Sequence, residues 1–470
     1  MLFHSGHFFL FFACVLLVHQ LRLPWAFKKW NLLAASWFFY AAWNPPFVLL
    51  LILTTVVSWY TAERIHDSED SAARKRWLWL NLAVNLGILG FFKYGGFLLW
   101  NYRIVAGGLD FGVTVPNWSW LLPAGISFYT FQVLSYVLDV YFRKTPATRN
   151  FRDVALYIAF FPQLVAGPIV RSTDFLPQLK TEPRRIADRV QWGLVLFGIG
   201  LFQKMFVADF LCAPIANKIF DNANAAGFLT CWTGTLAFTV QIFCDFAGYS
   251  NCAIGAALCL GFELPENFRA PYAALGFSDF WKRWHITLST WFRDYVYIPL
   301  GGSQRYAVRR TIVNLMVTMV LAGLWHGASW RFILWGVIHG ILLVLEALWR
   351  RFLKAREIRL PAWTEVPGIA ATFLIISVTM MIFRAHGLST LGRMLSSMAG
   401  FSGIGSLDGN TMIWAVTAAL FAIHLHLRHA GYEALVRKTS PWITGAVFGI
   451  ILFLCYLSSG NPDAFIYFQF

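Results

Sequence analysis

The sequence predicts an all-α polytopic membrane protein of about eleven transmembrane helices, with re-entrant and interfacial helices added. Three observations lead there. Of 470 residues, 58% are hydrophobic and 13% charged, and the mean hydropathy is +0.58, far from a soluble profile. Apolar runs close to the roughly 20 residues needed to cross a bilayer recur along the chain. The 38 Lys and Arg against 23 Asp and Glu, a formal net charge of +15, sit in short links between these runs. That is positive-inside topology, not a nucleic-acid surface. One integral-membrane domain, 1–470, is expected, with its chemistry-bearing motifs at 121–345.

The elements follow in order. Phe8 to Val18 precedes the first basic residue, Arg22, whereas a secretory signal carries its charge before the apolar run, so a retained first helix with an outside N-terminus is expected. Asn31 to Thr61 would be about 46 Å long as one helix, and Asn44-Pro45-Pro46 interrupts it, so two helices are expected. Leu78 to Trp100 then runs outward, the polar stretch Asn101 to Ser119 stays outside, and Leu121 to Tyr141 returns. Val190 to Leu211 goes out, Asp221 to Gly227 links, and Leu229 to Leu260 comes back with room for a break.

From Glu263 to Arg310 the chain is too charged to span and too aromatic for a free loop, which predicts short interfacial or re-entrant helices. Thr311 to Trp325 and Trp330 to Leu348 form a hairpin with basic outer flanks and His326 at its apex. Gly368 to Phe383, Thr411 to Leu427 and Trp442 to Leu457 complete the spans and leave the C-terminus outside. Seven basic clusters are placed in the cytoplasm: Arg22 to Lys29, Arg64 to Arg76, Arg143 to Arg152, Arg171 to Arg189, Arg305 to Arg310, Arg350 to Arg359 and Arg428 to Lys438.

The chemistry concentrates in Trp281 to Gly302 and Leu321 to Gly340. His326 lies about 22 Å of helical rise from the cytoplasmic boundary, past the middle of a core about 30 Å thick. An ionisable group at that depth is a functional-site hypothesis by default, and a neutral imidazole there can accept a proton. In the first block, helical periodicity puts Trp281, Trp284, His285, Leu288 and Phe292 on one face. His285 is expected to converge with His326, and His339, three turns down the return helix, to support them. The remaining histidines read as peripheral. The seven cysteines show no CxxC pair and read as buried small hydrophobes, and no metal or nucleotide-phosphate motif is present.

At these residues the chain resembles the membrane-bound O-acyltransferase family, in particular the bacterial branch that O-acetylates alginate, cellulose and peptidoglycan. The resemblance runs over essentially the whole length. It rests on SFYTFQ (Ser127 to Gln132), FFPQLVAGPIVR (Phe160 to Arg171), QIFCDFAGYSNCAIG (Gln241 to Gly255), LPENFRAPY (Leu264 to Tyr272), DFWKRWHITLSTWFRDYVYIPLGG (Asp279 to Gly302), GLWHGASW (Gly323 to Trp330) and WGVIHG (Trp335 to Gly340). It implies helices around a central tunnel, an intramembrane catalytic histidine at His326 and a second catalytic position at His285. Trp325, Trp284 and His339 then support these, and Asp245, Tyr249 and Ser250 form a further polar cluster beside them. Many family members have Asp where this chain has Asn251.

The resemblance further implies an enzyme of the bacterial inner membrane that moves an acetyl group from a cytoplasmic thioester to an extracytoplasmic hydroxyl. Acetyl-CoA is the expected donor, with no bound cofactor or metal, and Lys282, Arg283 and Arg293 are expected to screen its phosphates. The acceptor is a polysaccharide or a periplasmic SGNH-type acetyltransferase. Acyl transfer needs a base for the hydroxyl proton and a site that excludes water, and a buried neutral histidine supplies both. Indole N–H groups of Trp284 or Trp325, His285 and backbone N–H near Gly327 are candidate oxyanion donors. The alternative is a proton-coupled transporter or flippase with the same histidine as relay, which would consume no acyl donor.

Overall fold

The computed structural model describes residues 1–108, 121–183, 187–222, 227–303, 308–405 and 411–458. Most of the polar stretch expected outside after Trp100, residues 223–226 of the outer link, and Arg184, Arg185 and Arg305 of two basic clusters lie outside the described residues. Described secondary structure is helical throughout. Seven helical segments are long and apolar enough to cross a membrane: Phe47–Asp67, Ser71–Ala106, Ala187–Asp221, Phe228–Cys259, Val308–His326, Trp330–Ala355 and Ala362–Arg384. Shorter apolar helices are Gly6–Gln20, Thr411–His426 and Pro441–Leu457. Trp25–Ala41 and Ile126–Tyr141 account for the other two expected segments. Contacts divide the chain into two compact units, Met1–Phe197 with Cys252–Pro265, and Gly198–Asn251 with Glu266–Phe470.

In the first unit, Asn44-Pro45-Pro46 does end one helix and start the next, because proline lacks the N–H an interior turn requires. Phe47–Asp67 is fastened to the helix after it by amides: Asn81 Nδ2 donates to Ser58 Oγ at 3.1 Å and to Thr61 Oγ1 at 2.9 Å. Such bonds replace the hydrophobic driving force that lipid cannot supply between helices. Residues of the basic clusters expected on one side are held by acidic partners. Lys29 pairs with Asp153 at 2.8 Å, Lys28 with Glu182 at 2.6 Å and Arg149 with Asp67 at 2.8 Å. Gly125, at φ +70°, lets the SFYTFQ block approach the FFPQLVAGPIVR block, since a Cβ there would sit 2.6 Å from the Leu164 carbonyl oxygen.

The second unit is built on the hairpin Val308–His326 and Trp330–Ala355. Gly323 faces the Phe332 carbonyl and Gly336 the Met319 carbonyl so closely that any side chain would overlap backbone, so small residues set the helix spacing. Ser329 caps the return helix by accepting from Arg331 N. Beside the hairpin runs Phe228–Cys259, a single helix of 32 residues without the break that its length suggested. Its first turn is capped by Gly403 and Ile404, whose carbonyls accept from Phe228 N and Leu229 N. The segment between this helix and the hairpin is short helices and turns, as its mixture of charge and aromatics predicts.

Candidate active site

His326 ends the rising arm of the hairpin and is 4% exposed. Its ring packs edge-on against Trp325 at 5.2 Å, Trp335 at 5.1 Å and Phe383 at 5.3 Å between centroids. Trp335 comes from the return arm and Phe383 from the end of Ala362–Arg384, so three helices wall the imidazole.

His285 reaches the same place by a different local structure from the one its periodicity suggests. The Trp281-to-Phe292 stretch is not one helix. Phe277–Trp281 ends, residues 282–285 turn, and Ile286–Phe292 begins, with His285 at φ +42° in the left-handed region. The cause is tertiary. Arg269 N donates to Arg283 O and Ile286 N to Asn267 O, both at 2.9 Å, drawing the backbone away from its own helix. A residue with a Cβ in such a conformation stores about 1 to 3 kcal/mol, which the surroundings must hold.

The turn delivers His285 into the core, at 0% exposure, with its ring on Phe246 at 4.6 Å and on Trp325 at 5.6 Å. Both imidazoles therefore pack on one indole, that of Trp325. Burial pushes the His285 pKa down to about 3, so the ring is neutral at physiological pH. His339 joins through Trp335, at 4.4 Å from that ring, and its Nε2 lies 3.0 Å from Thr379 Oγ1.

A cavity of about 430 Å³ lies beside this group, lined by sequence neighbours of the two imidazoles and by neither ring itself. Its wall includes Trp281, Lys282, Ile286, Arg293, Met319 and Ala322. Ala322 lies one helical turn before His326, and Ile286 directly follows His285. Lys282 and Arg293 thus share the cavity, Arg293 with its Nε already donating to Asp294 Oδ1 at 2.6 Å. Arg283 does not: its Nε donates to Asp279 at 3.0 Å and its NH1 to the Arg428 carbonyl at 3.1 Å. Trp284, too, is set apart, in a ring cluster with Phe268 at 5.1 Å and Phe280 at 5.5 Å.

Asp245 belongs to an ion cluster that sequence reasoning missed. Lys204 Nζ lies 2.5 Å from Asp245 Oδ1 and 2.9 Å from Asp209 Oδ1, all three nearly inaccessible. Lys204 and Asp209 were visible as isolated charges inside an apolar run, a signal in its own right. Tyr249 is buried one turn on, Ser250 Oγ accepts from Asn267 Nδ2 at 3.1 Å, and Asn251 Nδ2 donates to Gln203 Oε1 at 2.8 Å, a neutral pair that needs no charge at 251.

The expectation that the other histidines are peripheral is corrected by His424 and His19. His424 is fully buried, with Nδ1 accepting from Tyr272 N at 3.2 Å and Phe243 at 4.7 Å, and His19 Nε2 lies 3.1 Å from Leu260 O. Six of the seven cysteines are buried. Among the described residues no group of three or more His, Cys, Asp or Glu is placed to hold a metal.

The arrangement offers buried imidazoles in an aromatic pocket, next to a cavity lined by Lys282 and Arg293. A model of the MBOAT, membrane-bound O-acyltransferase family, matches residues 144–386. The chain is 40% identical, over 85% of its length and 78% of the relative's, to a protein of Azotobacter vinelandii named probable alginate O-acetylase. It is 36% identical to a peptidoglycan O-acetyltransferase of Helicobacter pylori, covering 80% of this chain and 75% of that one. A teichoic acid D-alanyltransferase of Streptococcus thermophilus is 27% identical over 55% of this chain and 67% of its own.

Proposed function

The chain belongs to the membrane-bound O-acyltransferase family and is a multi-pass membrane O-acyltransferase, and from that premise we propose that it carries an acetyl group from cytoplasmic acetyl-CoA to a hydroxyl outside the bacterial inner membrane. The acceptor belongs to an envelope polysaccharide such as alginate or peptidoglycan, the substrates in the relatives' names, or to a periplasmic SGNH-type partner that passes the group on. The N- and C-termini are outside. The observation that carries the reading is the pair of buried imidazoles on Trp325, one turn from a cavity holding Lys282 and Arg293.

Lys282 and Arg293 hold donor phosphate while the thioester arm enters the cavity. His326, neutral, takes the proton of the acceptor hydroxyl as that oxygen attacks the thioester carbonyl carbon. The tetrahedral oxyanion is stabilised by N–H donors around the apex, and its collapse breaks the C–S bond. The proton on His326 then goes to the departing thiolate, which leaves as free CoA, and the acetyl ester remains on the acceptor. General-base help is worth about 10² to 10⁴ in rate, so positioning and exclusion of water supply the rest.

The test is vectorial. Sealed vesicles of known orientation, given radiolabelled acetyl-CoA on the cytoplasmic face only, should release CoA thiol and place ester-linked label on envelope polymer or partner at the opposite face. Consumption only when the donor is supplied outside, or solute movement without thiol release, would overturn the proposal.

A further inference from the structure

The left-handed turn at His285 is held by Arg269 on the side before it and by buried Asn267 on the side after it. Asn267 is 1% exposed and stands on the chain that pairs with residues 283–286. Its backbone carbonyl oxygen accepts from Ile286 N at 2.9 Å, and its side-chain Oδ1 accepts from Thr287 Oγ1 at 2.9 Å and from Thr287 N at 3.4 Å. Its Nδ2 donates to Ser250 Oγ at 3.1 Å. Ser250 sits one helical turn beyond Phe246, the residue whose ring meets His285 edge-on at 4.6 Å. The contacts close a loop from His285 to Phe246, along the long helix to Ser250, across to Asn267 and back through Ile286 and Thr287. Within it the Asn267 side chain ties the turn to the long helix that carries Phe246.

From this we infer that Asn267 is a positioning residue: it locks His285 in the left-handed conformation that aims the imidazole at Trp325 and the reacting groups. The inference rests on the transferase reading of His285 and deepens it. Without the side-chain bonds to Thr287 and Ser250, the backbone bond to Ile286 N remains but the segment carrying it loses its anchors, so the turn at His285 loosens and the ring shifts on Trp325. An ordinary structural amide would affect folding without singling out His285.

The experiment measures acetyl-CoA thiol release, with deacetylated alginate oligomers supplied as the hydroxyl acceptor, by purified wild-type protein in nanodiscs and by N267A, N267D, H285A and N267A/H285A, each with its thermal midpoint. N267A should lower kcat by about 10²-fold, as expected when a reacting group is displaced by about 1 Å, with KM for acetyl-CoA within twofold. N267D, which retains the acceptor for Thr287 and can accept from the Ser250 hydroxyl, should recover at least a third of wild-type kcat. The double variant should be no slower than H285A, because Asn267 acts only through that ring. Wild-type kcat in N267A, no recovery in N267D, or a double variant slower than H285A by the full N267A factor would overturn the inference. Wild-type kcat in H285A would instead defeat the transferase role of His285 itself.

Discussion

At the hairpin apex His326 is buried against the rings of Trp325, Trp335 and Phe383, whereas in the same unit Asp245 is buried against a charge, the ammonium of Lys204, which it shares with Asp209. The two clusters are equally sealed from solvent and chemically opposite. An imidazole has a neutral form available near physiological pH, so rings can surround it without a counter-charge, and it keeps its capacity to take a proton. A carboxylate and an ammonium must be paired to be tolerated at such depth, and pairing uses up the chemistry they would otherwise offer. Burial of an ionisable group is therefore no sign of catalysis by itself. What surrounds it decides.

Breaking the ionic cluster should give the largest effect. Lys204→Met leaves two carboxylates facing each other without their cation, and stability should fall by about 3 to 5 kcal/mol, read as thermal or denaturant unfolding in detergent, with kcat per folded molecule within threefold of wild type. A variant that unfolds like wild type would show that the cluster is not ionic in the folded protein.

The aromatic cluster predicts a different response to acid. The folded pKa of His285, about 3, lies below the unfolded value near 6.5, so the unfolded chain binds more protons and stability falls as pH drops through 6.5 toward 3. By pH 5 this one group should remove about 2 kcal/mol. His285→Gln should lose that share of the acid sensitivity, and an unchanged slope of stability against pH would show that the ring is not desolvated.

The cations give the smallest effect and the sharpest contrast. Lys282→Gln should raise KM for acetyl-CoA roughly tenfold with kcat little changed, the worth of one charge-assisted hydrogen bond, and Arg293→Gln should raise it less, because that guanidinium also pairs with Asp294. Arg283→Gln should leave KM alone, because its guanidinium is spent on Asp279 and Arg428. Equal effects from all three would mean that the cavity does not receive the donor.

The helices were legible because the bilayer imposes a length and a polarity that few residues can disguise: the Pro45-Pro46 break, the hairpin and the late spans all stand where hydropathy puts them. The convergence of His285 and His326 was expected from a histidine on an aromatic helical face and another at a hairpin apex, and the family's motifs single out the same two positions. The turn at His285 was not, because Trp281 to Phe292 carries a helical period, and the bonds that interrupt it come from Asn267 and Arg269. Nor were the partners of Asp245 and His424. Lys204 reads as an intruder in an apolar run until it meets Asp245, and His424 reads as a helix-end residue until it meets Tyr272, 152 positions away. Pairings over such separations leave no local pattern.

The central claim is that the His326 imidazole takes the acceptor's proton, and the direct measurement is acetyl transfer by His326→Gln, a variant close in size, reconstituted beside wild type with matched thermal midpoints. Transfer should fall by about 10³-fold or more, with acetyl-CoA still bound at wild-type affinity. A folded His326→Gln protein that keeps a tenth or more of wild-type transfer would contradict the account.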